Sequence, residues 1–161
     1  MIKITLQRQF ILSTVILLSI LCHQPMMAQE WQKSIEKIDL QIETGDYRKA
    51  EDQLIKFQEK VVKKLGEPNK FQALGYLRQA RNQIGLGLLK NVESVVSTGL
   101  ETARNSPDIT TEEMQANYQD AVDIMILYGN YLTAEKYLQE ALSMSDKNDE
   151  NTAAELEVLR A

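Results

Sequence analysis

From residue 31 onward, apolar side chains recur in two alternating intervals. Ile35, Ile38 and Ile42, and again Leu54, Phe57 and Val61, stand three and four positions apart, the spacing that lines one face of a helix. The polar breaks Gly66-Glu67-Pro68-Asn69 and Ser106-Pro107-Asp108 interrupt this pattern with residues that stop helices. Read outward from the breaks and from three internal glycines, the pattern predicts helices over 31–44, 47–65, 70–86, 89–105, 110–128 and 131–144. Thr110 or Thr111, followed by Glu112 and Glu113, suits a helix start, because a hydroxyl caps the first amides and carboxylates favour the positive end of the dipole. No segment reads as a strand.

A similar block returns every 42 residues: Gly45-Asp46-Tyr47-Arg48-Lys49-Ala50-Glu51, Gly87-Leu88-Leu89-Lys90-Asn91-Val92-Glu93 and Gly129-Asn130-Tyr131-Leu132-Thr133-Ala134-Glu135. Each has a glycine, then a large residue two positions on (Tyr47, Leu89, Tyr131), a small or short apolar one five on (Ala50, Val92, Ala134), and glutamate six on. Glycine takes the left-handed conformation that ends one helix and lets the next begin at once, which makes each block the bend of a helical hairpin. Asp46 and Asn130 suit the cap of the second helix. The small residue is expected to admit close helix approach while the large one covers the crossing.

The pattern Gly-x-Tyr-x-x-Ala-x-x-x-Leu at 45–54 and 129–138, with Ala141 beyond it, resembles the turn and second helix of a tetratricopeptide repeat. The middle copy departs from it at Leu89, Val92 and Gly99. Of the first helices, only Ala80 supplies the small residue seven positions before the glycine, where Ile38 and Val122 stand in the other copies. A spacing of 42 instead of about 34 implies longer helices or connections. The resemblance implies an all-α, right-handed solenoid of three antiparallel hairpins, about 31–66, 70–106 and 110–146. Residues 150–161 are then either a capping helix or the opening of a further repeat. It also implies a scaffold or adaptor that takes a protein or peptide in the groove of its first helices. An alternative is that the repeats lead a larger secreted protein whose effector, for example a caspase-like peptidase, lies beyond residue 161. Self-association through an unfilled repeat face is a further reading.

The amino terminus has a different character. Lys3 and Arg8 precede an apolar run over residues 10–18 that continues through Ile20, Leu21 and Cys22, followed by the polar break His23-Gln24-Pro25. At about 13 residues this run is too short to cross roughly 30 Å of hydrocarbon, and it has the form of a secretory signal peptide. Cleavage after Ala28 is expected, with Met26 larger than usual at the third position before the cut. Residues 1–28 are thus read as a signal peptide and 29–161 as an exported repeat domain, periplasmic or extracellular, of a bacterial kind. A lipoprotein reading of Cys22 is opposed by bulky Leu21 in front of it.

Cleavage removes the only cysteine and the only histidine and makes the net charge of −5 two units more negative. A disulfide and a thiolate or imidazole metal site are then excluded, and serine or threonine nucleophiles lack a histidine base. The acidic balance disfavours nucleic acid and anionic membranes as partners. No enzyme and no cofactor are expected. Glu112 with Glu113, and Asp120 with Asp123, read as solvated helix faces, and Gly85-Leu86-Gly87 is too short for a phosphate loop.

For the groove, positions counted from the glycines single out Ile42, Ile84 and Ile126, three before them, and Leu77 seven before Ile84. The isoleucines read either as shared core or as an apolar floor. Two charge registers, Glu36, Arg78, Asp120 and Asp39, Arg81, Asp123, each run minus, plus, minus across neighbouring helices. Either the arginines are paired by these carboxylates, or Arg78 and Arg81, one turn apart, offer a donor pair to a carboxylate of a bound peptide.

Overall fold

The computed structural model describes residues 28–144. The expectations for residues 1–27 and 145–161, which include most of the signal segment and the capping helix, lie outside the described residues. Among the described residues there are six α-helices and no strand: α1 over 28–43, α2 Tyr47–Leu65, α3 Lys70–Gly85, α4 Val92–Arg104, α5 Thr111–Tyr128 and α6 Tyr131–Met144. The described residues fall into two units that meet between Glu36 and Lys37, within α1. In the first, Trp31 and Ile35 are buried. The second contains the end of α1, with Asp39 and Ile42, and helices α2 to α6.

The repeat returns as a repeat of backbone conformation. Gly45, Gly87 and Gly129 have φ of 80°, 73° and 84°, the left-handed region that a Cβ disfavours. Each glycine amide donates to the isoleucine carbonyl three residues earlier, Ile42, Ile84 and Ile126, at 3.2, 3.0 and 3.0 Å. The next amide in each, Asp46, Leu88 or Asn130, donates to the carbonyl five residues back, Gln41, Gln83 or Met125, at 2.8, 2.8 and 2.9 Å. This pair of bonds is the Schellman closure, which satisfies carbonyls that a helix end otherwise leaves bare.

The three following helices start differently. Asn130 caps α6 by accepting from the Thr133 amide at 3.1 Å, whereas the Asp46 side chain makes no capping bond to α2. In the middle copy apolar Leu88 occupies the capping position, and the expected helix over 89–105 begins instead as a 3-10 turn, Leu89–Asn91, before α4. Thr110 is the cap of α5: it accepts from the Glu113 amide at 3.2 Å while Glu113 accepts from the Thr110 amide at 3.0 Å.

Helix α3 packs against α2, α4 and α5, and α5 packs against α4 and α6. The core gathers Ala73, Leu77 and Ala80 from α3, Val92, Val96 and Leu100 from α4, Tyr118, Ala121 and Met125 from α5, and Ala134, Leu138 and Ala141 from α6. The short residues Ala50, Val92 and Ala134 are buried as expected. The large residues are not equivalent. Tyr47 is half-buried, but Leu89 and Tyr131 are exposed, Tyr131 by 70%, so neither covers a crossing as the repeat pattern suggested. Gly99, an irregularity of the middle copy, lets α4 approach α3: a Cβ there would lie 3.3 Å from the Ala73 carbonyl and 3.3 Å from the Leu77 side chain.

Candidate functional site

The charged residues singled out on the first helices come together in part, along a different line. Arg78 on α3 donates through Nε and Nη2 to the two carboxylate oxygens of Asp39 on α1, at 2.9 and 3.2 Å, and through Nη1 to Asp120 on α5. One guanidinium therefore bridges three helices, taking Asp39 from one register and Asp120 from the other. The offset of three residues is about 4.5 Å of helix rise, within reach of the arginine stem. Burial disfavours the charged form of Arg78, but Asp120 and Asp39 outweigh it and raise its pKa above the ordinary arginine value.

Arg81 is exposed and has no ion-pair partner among the described residues. Asp123, also exposed, has a carboxyl pKa above the usual range, through partial burial and the neighbouring Asp120, against the opposing pull of Arg81. The two arginines thus do not act as a free pair, because the donors of Arg78 are occupied. Of the apolar groove positions, Leu77 is wholly buried and Ile42 nearly so, Ile84 is partly buried, and Ile126 is 40% exposed. Leu77 belongs to the core and has no surface for a ligand, and Ile126 alone of the three isoleucines is open.

A second polar cluster was not foreseen. Tyr118 on α5, buried in the core, donates its hydroxyl hydrogen to Glu140 on α6 and accepts from Nη2 of Arg104 on α4. Arg104 also lies 3.4 Å from Glu140, and the Tyr137 ring meets Tyr118 edge-on at 6.1 Å. Burial, with Glu140 beside it and against the influence of Arg104, pushes the Tyr118 phenol pKa up. These groups wall a cleft of about 300 Å³ that Lys136 and Glu101 also line. The partners are 14, 22 and 36 positions apart, so periodicity alone does not join them. One signal was present: Tyr76 and Tyr118 stand 42 residues apart, at matched places in two copies.

Exposed apolar residues have a pattern of their own. Leu40, Leu88, Leu89, Ile126, Leu127, Tyr131 and Leu132 are all large, exposed and within five residues of Gly45, Gly87 or Gly129. Neighbouring turns are joined: the Tyr47 ring lies on Gly85, and Glu93 at the start of α4 accepts from Asn130 Nδ2 and Thr133 Oγ1 at 3.3 and 3.5 Å. The result is an edge of helix turns with an apolar character.

Among the described residues no group of three or more His, Cys, Asp or Glu side chains is placed to hold a metal ion, and no helix is long and apolar enough to cross a membrane. No family model, no curated protein and no solved structure matches the chain.

Proposed function

We propose that the chain is an exported solenoid of three helix hairpins, similar to tetratricopeptide repeats, that holds a partner protein and carries out no reaction of its own. The Schellman turns at matched positions support the hairpins, and the packing of α3 on α5, first helices of successive pairs, supports their stacking in one direction.

The observation that carries the binding reading is the apolar turn edge. Single exposed leucines are ordinary, but Leu88, Leu89, Ile126, Leu127, Tyr131 and Leu132 collect at two joined turns, as surfaces that meet another protein do. The partner lies on this edge and extends towards Arg81 and Asp123 through Ile126, the groove position still open. The locked Arg78 sets the spacing of the first helices and takes no part in binding.

The test compares wild type with the Leu127→Glu/Leu132→Glu variant, both matched for helical circular dichroism. Wild type is expected to recover a discrete partner from envelope fractions in a fixed ratio, with hydrogen-exchange protection at 126–132, and the variant to lose both. Recovery unaffected by the variant would sink the reading. Export is tested separately by intact mass, where a secreted product beginning at Gln29 is expected and an uncleaved chain counts against it.

A further inference from the structure

Between α2 and α3 lies a second cleft, of about 240 Å³, lined by amide and carboxylate side chains together with Leu54 and Ile55. From α3 it receives Gln79, Asn82 and Gln83, one helical stripe. Asn82 is 2% exposed and its Oδ1 has no hydrogen-bond partner among the described residues, and the buried Oε1 of Gln83 beside it is in the same condition. Buried carbonyl oxygens are ordinarily paired, since an unmade bond costs the desolvation of the acceptor. Both residues line the α3 wall of the cleft, and both carry an acceptor that lacks a donor.

The facing wall supplies charge and a path for an apolar stem. Glu51 and Glu59 stand on α2 at either end of the stripe, two turns apart, with exposed Ile55 between them and buried Leu54 at the floor. Gln58 spans the cleft, donating from Nε2 to Gln79 Oε1 at 3.3 Å. It lies across Gly75, where a Cβ would come within 3.1 Å of its side chain, so the glycine leaves room for the amide. Among the described residues no basic side chain lines the cleft.

We propose that this cleft receives an arginine side chain of a partner. Its methylenes lie on Ile55, its N–H groups meet the amide oxygens, and Glu51 and Glu59 balance its charge. A guanidinium presents five donors in a plane and no acceptor, which matches a wall deficient in donors, and it is more weakly hydrated than an ammonium. The acidic balance of the whole chain favours the approach of a cation. That the arginine belongs to a protein rests on the binding reading above; the cleft's preference does not, and a small compound tests it alone.

The experiment follows the side-chain amide resonances of the ¹⁵N-labelled full chain during titration with Nα-acetyl-arginine methylamide. The neutral citrulline counterpart and the lysine counterpart serve as parallel arms. Saturable shifts at Gln58, Gln79, Asn82 and Gln83 are expected, with citrulline binding at least about tenfold more weakly, because charge-assisted bonds are about twice as strong as neutral ones. The Glu51→Gln/Glu59→Gln variant, altered at the cleft rim, is expected to lose about tenfold in affinity with an unchanged backbone spectrum. Absent or unsaturable shifts at these four residues, equal binding of citrulline, or tighter binding of the lysine compound would each overturn the assignment. Failure of the partner experiment with success here would leave the cleft's preference standing and remove only the protein as its source.

Discussion

The ring of Tyr47 occupies the space that a Cβ on Gly85 would fill, so the first residue of α2 is seated on the last residue of α3. The contact joins two turns that are far apart in sequence. Gly85→Ala sets a helix-propensity gain of up to about 1 kcal/mol against overpacking that costs about 1 to 3 kcal/mol. Because Tyr47 is only half-buried and can swing aside, we expect a net loss of about 1 kcal/mol in urea unfolding. In a Tyr47→Ala background the same change should be neutral or stabilising, and equal losses in both backgrounds would refute the contact.

Arg78→Met should leave the Asp39 and Asp120 carboxylates without their shared cation. The three side chains keep some exposure, so the loss is expected below that for a fully buried pair, about 1 to 3 kcal/mol. Asp120→Asn should be less costly in the Arg78→Met background than in wild type, as a double-mutant cycle by chemical denaturation would show. Its raised pKa keeps Arg78 charged at any ordinary pH, so this contribution should not vary between pH 5 and pH 9 on account of the arginine.

Equivalent positions after the glycines should respond unequally. Asn130→Ala removes a capping bond to the Thr133 amide and should cost about 1 kcal/mol, while Asp46→Ala, where no such bond exists, should change thermal stability by less than about 0.5 kcal/mol. Similar losses at the two sites would contradict the observed capping.

Two carboxylates should act on stability with opposite signs as pH changes. At Glu113 partial burial works against ionisation, but Lys70 at 2.8 Å and the Thr110 amide outweigh it and the pKa is lowered. A carboxylate with a lowered folded pKa stabilises above its unfolded pKa, and the gain disappears as pH falls through the folded value. Urea midpoints should therefore drop below about pH 4.5, and Glu113→Gln should flatten that drop. Asp123 has a raised folded pKa, so its contribution is present below the unfolded value and lost as pH rises through the folded one. Asp123→Asn should raise the midpoint at pH 7 and leave it unchanged at pH 3.

The local pattern locates each described helix to within about three residues at its ends. It succeeded because the signals are local: Gly45, Gly87 and Gly129 each need a conformation that glycine alone adopts readily, and Thr110 with Glu113 closes its capping box within one turn. Positions 42 apart are equivalent in the pattern but not in burial. Ile42 is buried, Ile84 partly so and Ile126 open, and Tyr47 has a glycine to lie on while Tyr131 is exposed. The spacing puts Arg78 in register with Glu36 and Asp120, while in the fold it also holds Asp39 from the neighbouring register, and no periodicity links Tyr118, Arg104 and Glu140.

The sequence by itself determined to within a turn where the described helices begin and end, and that their turns repeat, because caps and left-handed glycines act over a few residues of their own chain. Only the tertiary structure decided which matched side chain is core and which is surface, and which carboxylate Arg78 holds. Burial and ion pairing depend on the helix that arrives from elsewhere in the chain, and similar local sequences meet different neighbours.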